Sequence, residues 1–575
     1  MASSLLLMAP FWDPYCPPLG IASIQAYMRQ RGRSVNIFDF NTDKIVWRGQ
    51  RQYFDGLVEL IPRAKGWNIM RLGPDYFARH QMAWLRLRHQ PQRYRELVAH
   101  ILNIDGRQEL DPNKFELFDQ IFANIYRRIE ALLEAQLRAH SPTVVGCTLL
   151  TTTLPASLHI LSRAKAYNPA IRTALGGPGP IMGAGADSPD THRLLELCPW
   201  VDNVIIGEGE VLTDALHHGL LEPRRIYSLK DVSHFAADPR LVNTTTKQGL
   251  IRDIGKLPTP DYSGLQVSNY PNLSIGVTRG CAYQCAFCYE TTFWKRYRKR
   301  PVDGALDDMQ WLRERYDRKN FFLCDSLANL FGKNLATGIL ERGMDIKWDA
   351  YLRADAPLMD RQYVQHLAAG GMVRARIGVE SADEQTLQAM DKRTTAEVMG
   401  VVVENLAQAG IETSTLWIVG FPEEDEVAFE ASLDFMRQRA DDIYAADPWI
   451  FIFHPTVGNE PVFGRLVGEN SFEAKYGMRR LYPETFDEAL IVQYYELDIP
   501  DVVSMKIDRL ERMCAVMREL GIPNPYSMKE WRAANRRWQA RHRRSGASPL
   551  VSAVAVGASG DAPVGQETSE QVIIA

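Results

Sequence analysis

The sequence predicts an α/β protein of several domains, and three observations carry that prediction. Strand-like apolar runs alternate with helical patterns up to about residue 210, and the same alternation resumes after residue 266. The composition is that of an ordinary globular chain, with 575 residues, 46% hydrophobic, 10% aromatic and 24% charged. At about 150 residues per domain, the length allows three to four domains.

The N-terminal elements follow in order. Leu5 to Pro10 reads as a strand, Pro17 to Gly32 as a helix that starts after proline and stops at glycine, and Ser34 to Asp39 as the next strand. Later strands are expected at Thr143 to Cys147, Arg172 to Gly177 and Asp202 to Glu210. Apolar strands alternating with helices imply a doubly wound, Rossmann-like parallel sheet, whose ligands bind beyond the carboxyl ends of the strands. Those ends carry Thr151, Thr152 and Thr153, the pair Gly176 and Gly177, and Gly207, Glu208 and Gly209. Small residues there let a large ligand approach the backbone. A nicotinamide site is not supported, because no G-x-G-x-x-G follows the first strand. Between the second and third strands lies an insertion, about residues 41–141, read as amphipathic helices such as Gln92 to Ile104 and Phe115 to Ala139. It carries Trp47, Trp67, Tyr76 and Trp84, and it either caps the ligand and substrate cavity or forms a side domain around its own core.

The segment 216–265 reads as a linker ending in the turn-forming Pro258 to Tyr262. Within 266–462, strands are expected at Leu273 to Val277, Lys319 to Asp325, Asp345 to Arg353, Val373 to Ser381, Thr413 to Gly420 and Ile450 to Pro455. Helices are expected at Asp360 to Ala369 and at Thr395 to Gln408. Residues 463–544 read as a helical C-terminal region, and 545–575 as a disordered tail without periodicity. Trp531 to Arg544 holds six arginines and two tryptophans, which reads as a solvated basic helix rather than a nucleic-acid site.

Charge and hydropathy exclude several classes of function. Sixty-six Lys and Arg against seventy Asp and Glu leave a net charge of −4, so nothing draws the whole chain to nucleic acid or an acidic membrane. No apolar run approaches the ~18 residues needed to span a bilayer. The opening MASSLLLMAP has no basic stretch before its apolar run, so no secretory signal is expected. Eight cysteines in a chain this long exclude a disulfide scaffold, and a reduced, cytoplasmic protein is expected.

Three of those cysteines fall within eight residues, Cys281, Cys285 and Cys288, in the spacing C-x3-C-x2-C. A zinc site wants four ligands, and no further pair follows nearby. A redox C-x-x-C would leave Cys281 idle. Soft thiolates on a short loop suit an iron–sulfur cluster, and three of them on four irons leave one iron open.

This loop, with Phe287 as its aromatic, resembles the cluster motif of the radical S-adenosylmethionine (SAM) superfamily. The resemblance implies a partial (β/α) barrel over 266–462, with Cys281, Cys285 and Cys288 holding a [4Fe-4S] cluster and SAM chelating the open iron. It implies that Asp325 and Arg353 receive the amine and carboxylate of SAM, that Glu380 and Ser381 contact its methionine or ribose, and that Ile418 and Gly420 lie beside its adenine. Cys324 falls outside the motif and is expected to be a buried thiol.

Residues 1–215 resemble the cobalamin-binding domain fused ahead of many radical SAM domains. The matching pieces are Pro18-Leu19-Gly20 and the turns at Gly176-Gly177 and Gly207 to Glu210. The contacts this implies for cobalamin are Leu19, Gly20, Thr151, Thr152, Gly176, Gly177, Gly207 and Glu208. No D-x-H-x-x-G occurs in the chain, so no histidine is expected beneath the cobalt. Together the resemblances imply a radical SAM C-methyltransferase using methylcobalamin, acting on an unactivated carbon of a natural-product, lipid or tetrapyrrole substrate. A flavodoxin- or ferredoxin-type protein would supply electrons. The alternatives are a cyclase or rearranging oxidoreductase with the same cofactors, and a cobalamin-binding sensor with a structural cluster.

Overall fold

A computed structural model describes residues 2–12, 14–61, 64, 69–103, 106–107, 110–178, 188–231, 249–455, 468–523 and 535–540. Trp67, the tail 545–575 and most of the arginine-rich stretch Trp531 to Arg544 lie outside the described residues.

The N-terminal sheet has six parallel strands: β1 Ser3–Met8, β2 Ser34–Asp39, β3 Val144–Thr148, β4 Arg172–Gly176, β5 Asn203–Ile206 and β6 Arg225–Ser228. Their spatial order is β2-β1-β3-β4-β5-β6, so the chain reverses direction across the sheet between β1 and β3. In doubly wound sheets the ligand crevice opens at this switch point. Alternation along β1 serves two cores: Leu6 and Met8 pack on one face, and Leu5 and Leu7 on the other. The strand β6 lies inside the segment read as linker. Its four residues, Arg-Ile-Tyr-Ser, give a signal too short and polar to stand out from a loop.

The insertion forms the helices Lys44–Leu60, Ile69–Leu87, Pro91–Leu102 and Glu116–His140. They do not bury a separate core. Tyr53, Phe77, Phe118 and Phe122 belong to the same apolar cluster as Leu5, Leu7, Val145 and Cys147 of the sheet.

The second sheet is also six-stranded and parallel: β7 Leu273–Ile275, β10 Asn320–Leu323, β11 Lys347–Leu352, β12 Met372–Glu380, β13 Glu412–Val419 and β14 Ala445–Ile450. The strands lie in sequence order with helices between them, as a partial (β/α) barrel requires. Two short strands, β8 Thr278–Arg279 and β9 Arg298–Lys299, pair antiparallel and bracket the cysteine loop. On β11 and β12, Trp348, Ala350, Leu352, Ala375, Ile377 and Val379 face the outer core. By the two-residue period, Asp349, Tyr351, Arg374 and Arg376 face the barrel interior.

Two boundaries differ from the sequence reading. The last barrel strand is Ala445–Ile450, not Ile450 to Pro455. Asp447 and Pro448 disguise it, and the sheet tolerates that proline because β14 is an edge strand. The C-terminal region is not wholly helical: β15 Met478–Arg480 pairs antiparallel with β16 Tyr495–Leu497. The long helix Val502–Glu519 then packs into both cores, through Ile507, Leu510 and Cys514 on one side and Met513, Val516 and Met517 on the other. Within Trp531 to Arg544, the described Arg537 donates to the carbonyls of Leu520 and Ile443, and Trp538 packs edge-on to Tyr444.

Candidate active site

The cysteine loop leaves β7 at the carboxyl edge of the barrel and is held there by Asp325, the residue two past β10. The Asp325 carboxylate accepts hydrogen bonds from the backbone N–H of Val277 at 3.0 Å, and from the N–H and hydroxyl of Thr278. Burial pushes the Asp325 carboxyl up to about 6 despite these donors. Asp325 therefore positions the loop, with its carboxylate turned to Val277 and Thr278. Two further backbone bonds fasten the loop: Arg300 N–H to Val277 O at 3.0 Å, and Ala286 N–H to Met390 O at 2.9 Å.

Cys285 is buried, and Cys281 and Cys288 are half-buried. Burial, reinforced by the Glu290 carboxylate, pushes the Cys288 thiol up to about 12, and burial also raises Cys281. Thiolates at these positions need a cationic partner. Among the described residues no group of three His, Cys, Asp or Glu could hold a single metal ion. Arg353 meets the loop from the end of β11. Its Nη1 is 3.8 Å from the Cys285 sulfur, its guanidinium lies 4.1 Å from the Tyr283 ring centroid, and its Nη2 is buried without a hydrogen-bond partner. Asn329 holds the Arg353 backbone through both its N–H and its carbonyl. Three thiols beside an orphaned guanidinium fit a cluster that carries an anionic ligand group.

Sequence reasoning overlooked Glu290, two residues beyond the last loop cysteine. Its Oε2 accepts from Trp294 Nε1 at 2.9 Å and from the Ser326 hydroxyl at 2.7 Å. It is half-buried next to the cysteines. The signal was available in the spacing, but nothing in the sequence separates it from a surface glutamate.

The remaining residues assigned to SAM lie along the same mouth. Glu380 has a left-handed backbone, φ 66°, at a register shift between β12 and β13, and its Oε1 accepts from Lys392 Nζ at 2.8 Å. That carboxylate is thus in an ion pair through Oε1. Ser381 is fully buried, and its hydroxyl oxygen accepts from Asp383 N–H. Phe287 and Ile418 pack against an aromatic cluster that includes Phe421, Phe451, Phe453 and Phe472. Gly420 has φ 75°, and its N–H donates to Glu424 at 2.7 Å. The stem of Lys506 lies against Gly420 so closely that a Cβ there would strike it. Cys324 is exposed, not buried: Phe321 and Leu323 take the outer core, so the thiol turns to the interior side.

The residues assigned to the N-terminal sheet gather at its carboxyl edge. The Thr152 hydroxyl donates to Phe11 O at 2.8 Å, joining the loops after β3 and β1 across the switch point, with Thr151 beside it. Gly177 has φ 153°, and a Cβ there would lie 2.5 Å from Leu149 O, so only glycine fits. Gly176 closes β4, and Gly207, with φ 84°, faces open space, as does Gly20. Two further residues of this edge meet the barrel side. Leu19 lies against the barrel, with its Cδ2 3.6 Å from where a Gly276 side chain would begin. The Glu208 carboxylate is fully engaged, pairing with Arg279, with Arg298 at 2.8 Å and with Ile251 N–H at 2.6 Å. Arg279 also pairs with Glu210, so this buried knot ties the cysteine-loop base to the N-terminal sheet.

More contacts join the two sheets. Tyr15, from the loop after β1, reaches into the barrel, where its hydroxyl donates to Asp349 at 2.5 Å and its ring lies under the Arg376 guanidinium. Tyr270 donates to Asp39 at 2.8 Å. The Gln25 amide donates to the carbonyls of Asp261 and Ser263.

Residues 275–436 match the family model described as "Radical SAM superfamily". The chain is 27% identical over 311 residues to the anaerobic magnesium-protoporphyrin IX monomethyl ester cyclase of Rubrivivax gelatinosus, a match covering 52% of this chain and 54% of that one. It is 25% identical to an uncharacterized methyltransferase of Pyrococcus horikoshii, covering 52% of this chain and 65% of that one. It is 24% identical to the hopanoid C-3 methylase of Methylococcus capsulatus, covering 52% and 59%. The chain thus spans only about half to two thirds of these relatives. Among solved structures it shares its fold with the radical SAM methyltransferase TsrM of Kitasatospora setae, at a TM-score of 0.56 and 14% identity, covering 95% of this chain and 100% of that one. No helix among the described residues is long and apolar enough to cross a membrane.

Proposed function

We propose that the protein is a cobalamin-dependent radical SAM enzyme that methylates an unactivated carbon of a small molecule. The observation that carries this reading is the placement of Arg353 Nη2, buried and unpartnered, beside a loop of three cysteines whose base is tied to the N-terminal sheet. Cys281, Cys285 and Cys288 would hold the [4Fe-4S] cluster, Arg353 would take the SAM carboxylate, and Glu290 its amine. The glycine-rich carboxyl edge at Gly176, Gly177 and Gly207, with Thr151 and Thr152, would take cobalamin; the solved structure of TsrM holds both cobalamin and a [4Fe-4S] cluster. When bound, these groups supply a low-potential electron, the 5′-deoxyadenosyl radical source and a transferable methyl group.

The chain's own residues do the positioning. Asp325 and the β8–β9 pair fix the cysteine loop, and Phe287 of that loop packs on the cluster of Phe421 and Phe451. A flavodoxin- or ferredoxin-type donor and a cytoplasmic setting belong to the same reading. The match to a cyclase favours a second reading, ring closure with the same cofactors and no methyl transfer. One experiment tests both. Anaerobically reconstituted protein is given SAM and reductant, and 5′-deoxyadenosine and S-adenosylhomocysteine are quantified. Methyl transfer yields both products, and cyclisation only the first. The Cys281→Ala, Cys285→Ala, Cys288→Ala triple variant is expected to lose iron and all turnover. Deoxyadenosine formation by that variant refutes the ligand assignment.

A further inference from the structure

We propose that Cys16 and Cys324 are a redox-active dithiol that closes to a disulfide linking the N-terminal sheet to the barrel. Neither belongs to the loop trio, and each reaches the junction from a different domain. Strand β7 holds both in place. Cys16 is flanked by Tyr15, whose carbonyl accepts from Asn272 N–H at 3.3 Å, and by Pro17, whose carbonyl accepts from the Ser274 hydroxyl at 2.6 Å. On the other side, β10 pairs with β7, and Cys324 N–H donates to Ile275 O at 2.8 Å.

The side chains converge as the backbones do. Phe322 turns to the barrel interior, where its ring meets Tyr15 edge-on at 5.4 Å. Cys324, two residues further on, turns the same way, and the neighbouring Cys16 thiol, together with burial, holds the Cys324 thiol well above its ordinary value. Cys324 is exposed and Cys16 half-buried, whereas Cys147, Cys198 and Cys514 are buried. The pair can therefore meet a small oxidant that the other three cannot.

The step is a thiol–disulfide exchange. One cysteine attacks a disulfide-type oxidant such as oxidised glutathione and forms a mixed disulfide. The second cysteine then displaces glutathione, so two thiols become one disulfide while the oxidant becomes two thiols. The product pins the loop that carries Tyr15 into the barrel, and with it the approach of the two sheets. Disulfides in reducing compartments are mostly transient and redox-sensing, and an enzyme whose proposed cluster is destroyed by oxidants is a suitable place for one.

The test uses full-length protein reconstituted anaerobically, so that the three loop thiols are engaged. It is treated with oxidised glutathione, alkylated with iodoacetamide, and mapped as non-reduced peptides. The expected result is a linked pair containing Cys16 and Cys324, two hydrogens lighter than the free peptides and released by dithiothreitol. The link is expected to be lost in Cys16→Ser and kept in Cys514→Ser. Alkylation of both thiols in the oxidised wild type, or glutathione retained on either without the cross-link, overturns the proposal. The readout is independent of SAM cleavage, so it stands or falls apart from the proposed function.

Discussion

Arg353 and Cys285 are held side by side, with Nη1 3.8 Å from the sulfur and Nη2 buried and unpaired. A guanidinium left half-satisfied by its own chain is prepared for an anionic ligand. Replacing Arg353 with Lys keeps the charge and removes the planar fork. A charged hydrogen bond contributes about 1.5–3 kcal/mol, so the Kd of reconstituted protein for SAM is expected to rise about 10- to 100-fold. Equilibrium binding with labelled SAM measures this, and an unchanged Kd means the guanidinium serves only the loop.

Glu290 and Asp325 are expected to separate cleanly. Glu290→Gln keeps an acceptor for Trp294 and Ser326 but loses the negative charge. It is expected to retain iron and weaken SAM binding about tenfold. Asp325→Ala removes the acceptors that hold Val277 and Thr278, so it is expected to lower iron retention first. Iron analysis and SAM titration on both variants decide the assignment, and the opposite pattern would restore Asp325 as the amine ligand.

Glu208 is the pivot of the junction. Its side chain is 1% exposed and faces Arg279 and Arg298. Glu208→Ala leaves buried guanidinium charge without this partner, and such losses cost about 3–5 kcal/mol. Urea denaturation is expected to show that loss. A change below about 1 kcal/mol is the exposed-pair value and would mean the knot is solvated.

His80 supplies a pH dependence. It is fully buried between the hydroxyls of Tyr53 and Tyr94, at 3.1 and 3.0 Å, and burial lowers its pKa to about 3. The folded protein therefore binds the proton less readily than the unfolded chain, where a histidine titrates at its ordinary value of 6.5. Its contribution is complete above pH 6.5 and is lost as pH falls toward 3. The melting temperature of the wild type is expected to drop more steeply between pH 6.5 and 4 than that of His80→Gln. Parallel slopes contradict a neutral buried imidazole.

Much of the fold was legible because its signals are local. Ser34–Asp39 was read to the residue, and the helices Pro91–Leu102 and Glu116–His140 to within two, since apolar periodicity and a proline or glycine stop mark them. The elements missed were those with weak local signals: β6, with its four mixed residues, β14, with its internal proline, and the three-residue partners β15 and β16. Such strands form because neighbours offer hydrogen-bonding edges, which no window of sequence contains.

The sequence by itself determined the two parallel α/β sheets and the trio of cysteines, because strand period and ligand spacing are properties of consecutive residues. Only the tertiary structure decided which charged groups remain available. Asp325, Glu208 and Glu380 each meet partners from elsewhere, Val277 and Thr278, Arg279 and Arg298, or Lys392. Arg353 and Glu290 keep an open side. Hydrogen-bonding capacity is finite, and how it is spent depends on which distant segments the fold brings into contact.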